Sequence, residues 1–217
     1  MLKVVLATAS ACVLASCSSG GNASSTKADI SKVTSVKSSF GPEFKVNDIA
    51  KRPIDPKLLS ARKLPEGLSF DPAECANGVL GPEAPLGLQG TMTGVSAAGN
   101  GNRFVVIAVE TSKPLPFKDP GQQCSKVTFS GPQVQGSIDV VDTPKIDGTQ
   151  TRGVHRVLQM LNSSARSGEV YHYSAQFGDY EVIVTANPLM NPKQPVTPVD
   201  TQRACDLLVK AVAAVRS

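Results

Sequence analysis

Gly99-Asn100-Gly101-Asn102 lies between two apolar runs, and no other feature constrains the fold of this 217-residue chain as much. Asn-Gly in such a setting tolerates the positive φ angles of a tight two-residue turn whose twist matches antiparallel strands. The flanking segments Leu88 to Ala97 and Arg103 to Thr111 are therefore expected to pair as a hairpin. Phe104 to Val109 (FVVIAV) is apolar without alternation, so the second strand is expected to be central and covered on both faces.

The rest of the chain extends this sheet. Phe44 to Ile49 alternates loosely like a strand, and Cys124 to Phe129 with Val134 to Val141 form a further hairpin across Gly131-Pro132. Val170 to Phe177 and Tyr180 to Ala186 are strand-like and joined at Gly178-Asp179. Thr149 to Leu161 is harder to read. Val154, Val157, Leu158 and Leu161 fit a helix, and neither face of a strand there is cleanly apolar. Its strand-like neighbours need partners, so it is assigned as a strand.

Helices are expected at both ends. Asp29 can cap a short one carrying Ile30, Val33 and Val36, with Phe40 completing the stripe. Thr201 to Val215 carries Ala204, Leu208, Ala211, Val212 and Val215 on one side, suited to lying on a sheet. Between them, Lys51 to Phe70 is irregular, and Asp71-Pro72 is expected to open a short helix carrying Cys75 and stopping near Gly78. The expected fold is α+β: an antiparallel sheet of about six or seven strands with N-terminal and C-terminal helices packed on it.

The N-terminus speaks to location. Lys3 precedes an apolar stretch, Val4 to Leu14, which is secretory in length and short of the roughly 20 helical residues a bilayer requires. Leu14-Ala15-Ser16-Cys17 resembles the lipobox of bacterial lipoproteins. That resemblance implies a diacylglyceryl group on the Cys17 sulfur and cleavage before it, and two acyl chains suit stable anchoring. Residues 1–16 are then a lipoprotein signal peptide, 17–28 a lipidated tether and 29–217 one domain. The tether, rich in Ser and Gly, would reach about 15–20 Å as a flexible coil. The expected location is the outer face of the bacterial cell membrane.

The formal charge of +4 includes Lys3, the one charged residue before Cys17, which leaves +3 for the mature chain. It is scattered, with almost no aromatic–basic interleaving, so nucleic acid is not an expected partner. Of the cysteines after the anchor, Cys75 and Cys124 lie beside Pro/Gly-rich loops and Cys205 lies on the apolar side of the C-terminal helix. In an oxidising compartment a Cys75–Cys124 bridge is favoured. Without CxxC spacing or a nearby His, no metal is expected.

Three features then carry a wider resemblance: the lipobox, the segment Leu64-Pro65-Glu66-Gly67 followed by Asp71-Pro72-Ala73-Glu74-Cys75, and the run Val182 to Pro188 before the terminal helix. Together they resemble actinobacterial surface lipoproteins of unknown function. Those are similar in layout to the extracellular sensor domains of mycobacterial membrane serine/threonine kinases, which usually carry a second disulfide that the three cysteines after the anchor do not supply. The resemblance implies a sensor-like domain and brings no catalytic residues with it.

The residues agree that catalytic groups are scarce. There is no G-x-S-x-G elbow and no phosphate loop, and Gly99 to Asn102 lacks the strand–loop–helix context. His155 and His172 lie on segments that are neighbours in a sheet, and whether they share a face depends on register. Asp139 with Asp142, and Asp179 with Glu181, are read as solvated carboxylates beside turns. Tyr171, Tyr173 and Phe177 fall on one strand face, either as core or as the aromatic wall of a cleft. The chain is expected to be a non-catalytic, lipid-anchored envelope lipoprotein without cofactor that binds a small molecule or protein, with Tyr171, Tyr173, His155 and His172 as candidate ligand residues. The alternatives are an envelope hydrolase using His155 or His172, and a scaffolding lipoprotein without small ligand.

Overall fold

The computed structural model describes residues 28–54, 67–76, 85–161, 168–190 and 195–217. The expected signal peptide, Cys17 and all of the tether but Ala28 lie outside these residues, as do Leu64 to Glu66 and Gly78. Nine strands form one sheet: β1 Lys45–Pro53, β2 Ser69–Asp71, β3 Gly90–Gly99, β4 Asn102–Thr111, β5 Lys126–Ser130, β6 Val134–Val141, β7 Gln150–Met160, β8 Gly168–Phe177 and β9 Tyr180–Pro188. Their spatial order is β1-β3-β4-β9-β8-β7-β6-β5-β2, and every pairing is antiparallel. The α+β class stands, with more strands than the six or seven expected. One of them, β2, is a three-residue edge strand inside a segment that prolines make look irregular; its Asp71 pairs with Thr128 of β5.

Asp71 consequently does not cap a helix. The turn that follows is a 3-10 helix, Ala73–Cys75, whose cap residue Pro72 offers no side-chain hydrogen bond. The Asn-Gly turn forms as expected: Gly99 pairs with Asn102, and Asn100 and Gly101 take φ of 48° and 75°.

The N-terminal helix Ile30–Ser39 is 3-10 in form, with Asp29 accepting a hydrogen bond from the Ser31 amide. The apolar spacing explains this. Ile30, Val33 and Val36 recur every three residues, which aligns them on one side of a three-residue turn, whereas a 3.6-residue turn would rotate each away from the last. All three are buried. Helix α1, Thr201–Arg216, is α-helical, capped by the Asp200 carboxylate accepting from the Arg203 amide at 2.9 Å. Its buried stripe contains the expected residues and Leu207.

The sheet buries its two halves on opposite faces. In the larger half, α1 and the N-terminal helix cover Val95, Phe104, Val106, Ala108, Tyr173, Val182 and Val184. In the smaller half, the Cys75–Cys124 disulfide, with Cα atoms 5.4 Å apart, packs over Val127, Phe129, Val134, Ile138 and Val154. Register shows that these sets face opposite ways. Tyr173 of the first lies across from Gly153, while Val154 of the second is the next residue along β7, and successive strand residues alternate faces. β7 therefore stands where the core changes sides, which is why neither of its faces reads as cleanly apolar. β4 is buried at Phe104, Val106 and Ala108 on the helix face, but Val105 and Ile107 on the other are only half-buried. The expectation of cover on both faces is met in full on one of them.

A buried polar staple ties the hairpin tip to α1. Asn102, 3% exposed, donates to the Pro198 carbonyl at 3.2 Å and accepts from the Asp200 amide at 3.0 Å. A buried side-chain amide with partners on both sides holds the loop before the helix against the turn.

Candidate functional site

Because the disulfide cluster occupies one face of the smaller half, the opposite face of β2, β5, β6 and β7 has no cover among the described residues. This is the face that α1 covers farther along the sheet. Alternation makes it polar: Val127 and Phe129 point into the disulfide cluster while Thr128 and Ser130 point out, and Val134 and Ile138 point in while Gln135 and Ser137 point out. Cross-strand register assembles these outward residues into rows. One row runs Asp71, Thr128, Ser137, Val157, Glu169, and the next runs Ser69, Ser130, Gln135, Gln159. Between them lies a hollow of about 500 Å³.

The neighbouring row toward α1 is Lys126, Asp139, His155, Tyr171. The His155 and Tyr171 rings stack with centroids 4.1 Å apart and planes 12° from parallel. Nε2 of His155 lies 3.0 Å from the Glu169 carboxylate. Tyr171 lies 6.4 Å from Tyr173, with the rings 11° from parallel, so an aromatic series runs from the open face under the helix. Burial, followed by the Glu169 and Asp139 carboxylates, raises the Tyr171 phenol above its ordinary pKa. Burial does the same to Tyr173, reinforced by Cys205, with which it shares a hydrogen bond. Cys205 is a free cysteine of intermediate exposure, and burial raises its thiol pKa too, which keeps it a poor nucleophile.

The structure divides the four candidate ligand residues. Tyr171 and His155 border the open face. Tyr173, 2% exposed, belongs to the core under α1. His172 lies across from Val154, hence on the opposite face from His155, and the two histidines form no pair. A one-residue difference in register along adjacent strands decides this. Glu181, read from sequence as solvated, is 2% exposed on β9 and accepts from Gln176 Nε2 at 3.4 Å. Sequence reasoning missed the hydroxyl and amide residues of the hollow. Their signal, strict alternation on β5 and β6, is present, but it is the same signal a solvated face produces. Among the described residues no cluster of three or more His, Cys, Asp or Glu is placed to hold a metal, and no helix is long and apolar enough to cross a membrane.

The chain resembles two solved structures. One is an uncharacterized protein (Rv0999 ortholog) from Mycobacterium smegmatis, 55% identical, which aligns over 88% of this chain and 99% of that one with a TM-score of 0.83. The other is the extracellular domain of PknH from Mycobacterium tuberculosis, 12% identical, aligned over 84% and 91% with a TM-score of 0.36. No curated protein matches significantly. A family model described as a domain of unknown function, DUF5642, matches residues 29–216, and the chain belongs to that family.

Proposed function

We propose that this chain is a non-catalytic, lipid-anchored lipoprotein of the cell envelope, and that it binds a ligand on the open polar face of β2, β5, β6 and β7. The observation that carries the reading is the hollow of about 500 Å³ on a face whose reverse side is stapled by the disulfide. Ligand sites commonly have volumes of roughly 300–1,000 Å³ and sit on rigid supports. The separation of His155 from His172 on opposite faces removes the histidine pair on which a hydrolase reading would rest. The lipobox order Leu14 to Cys17 supports export and anchoring, and a tether leaves the domain free to present this face.

Two measurements test the reading. Unreduced intact mass spectrometry of membrane-extracted protein is expected to show loss of residues 1–16 and diacylglyceryl on Cys17; an unmodified Cys17 overturns the anchor. Amide NMR spectra recorded with solubilised envelope material are expected to shift at Thr128, Ser137 and Val157. Spectra unchanged at those positions overturn the binding face.

A further inference from the structure

The chemistry of the hollow points to its ligand, and we infer that it takes a neutral polyhydroxylated molecule, a saccharide. The inference rests on the proposed binding face and names what that face recognises. Of the eleven described residues around the hollow one, Asp71, is ionisable. No cation lines it among the described residues, so phosphate or carboxylate ligands find no counter-charge among them; Lys126 stands one row away beside Asp139. An apolar ligand would strip water from the hydroxyl and amide side chains and return no hydrogen bonds, which is unfavourable.

What the hollow does offer is a fixed set of neutral donors and acceptors. Gln135 and Gln159 stand directly across from each other on β6 and β7, and Gln135 Nε2 donates to Gln159 Oε1 at 2.8 Å. That bond sets both amide orientations and leaves Gln135 Oε1 as an acceptor and Gln159 Nε2 as a donor. Adjacent sugar hydroxyls, each able to donate and accept, match such a pair. The Thr128, Ser130 and Ser137 hydroxyls extend the same chemistry across the face. Val157, half-buried in their midst, supplies an apolar spot for the C–H side of a sugar ring. Because the amides are already oriented by one another, little side-chain freedom is lost on binding.

The test is a titration of the soluble domain, residues 28–217, disulfide intact, with neutral oligosaccharides built from glucose, mannose, galactose or arabinose. Amide NMR reports the site and calorimetry the affinity. Spermine and inorganic phosphate serve as charged probes, and Gln135→Ala and Gln159→Ala are titrated alongside. Both substitutions are at exposed positions outside the cores, and the variants' own amide spectra, compared with the parent's, are the check that they fold. The expected result is saccharide-induced shifts confined to β2, β5, β6 and β7, with affinity about tenfold lower in each variant, the effect of roughly one lost hydrogen bond. If the saccharides leave these resonances unmoved while envelope material or a charged probe shifts them, the inference is overturned and the binding face stands. If nothing moves them, both fall. Saccharide binding undiminished in the two variants removes the glutamine pair as the recognition element and overturns the inference as drawn.

Discussion

Replacing both bridged cysteines, Cys75→Ala with Cys124→Ala, separates the two cores. The bridge closes a loop of 49 residues, and loop-closure entropy alone makes it worth about 4 kcal/mol. Both cysteines are buried, at 0% and 4% exposure, so small voids add roughly 1 kcal/mol more. Against the 5–15 kcal/mol typical of a whole domain this is a large loss. It falls on the smaller half, whose cluster holds seven buried residues against twenty under the helices, counting described residues. The variant is thus expected to lose about 4–5 kcal/mol in urea titration and roughly 10–15 °C in thermal midpoint. In native-state hydrogen exchange, β5 and β6 lose protection first while β4 and β9 keep theirs. A loss under 1 kcal/mol, or protection falling equally in all four strands, refutes the division into two cores on opposite faces.

Leu208→Ala probes the other half. Leu208 is fully buried, so a cost of about 3 kcal/mol is expected by denaturant titration, with exchange rising in β8, β9 and α1. Asn102→Ala leaves the Asp200 amide and Pro198 carbonyl without their partner and is expected to cost about 2 kcal/mol by denaturant titration. Alkaline titration followed by tyrosine absorbance is expected to show Tyr173 resisting ionisation beyond the ordinary tyrosine range. Its folded pKa is raised, so the folded state holds the proton more tightly. Its contribution to stability is complete below about pH 10 and is lost as pH climbs from there toward the folded value. A tyrosine spectrum titrating as three ordinary phenols, in protein still folded by circular dichroism, counts against the buried placement.

The α+β class, the Asn100-Gly101 turn, the C-terminal helix and the Cys75–Cys124 bridge were all legible in the sequence. Each depends on signals a few residues long: a turn that needs positive φ, a helical stripe, or cysteines placed beside loops. The first helix was expected from Asp29 and the Ile30, Val33, Val36 stripe, but its 3-10 form came only with the structure. What tertiary structure alone decided was which way each face points and what covers it. Thr149 to Leu161 is ambiguous in sequence because β7 serves the disulfide cluster with Val154 and the helix side with Gly153. His155 and His172 parted because a strand repeats every two residues, so register alone sends adjacent positions to opposite faces. The open face was unreadable for a related reason. Thr128, Ser130, Gln135 and Ser137 alternate as any solvated face does, and only the sheet's nine-strand order, with the helices ending their cover near β8, turns that alternation into a hollow.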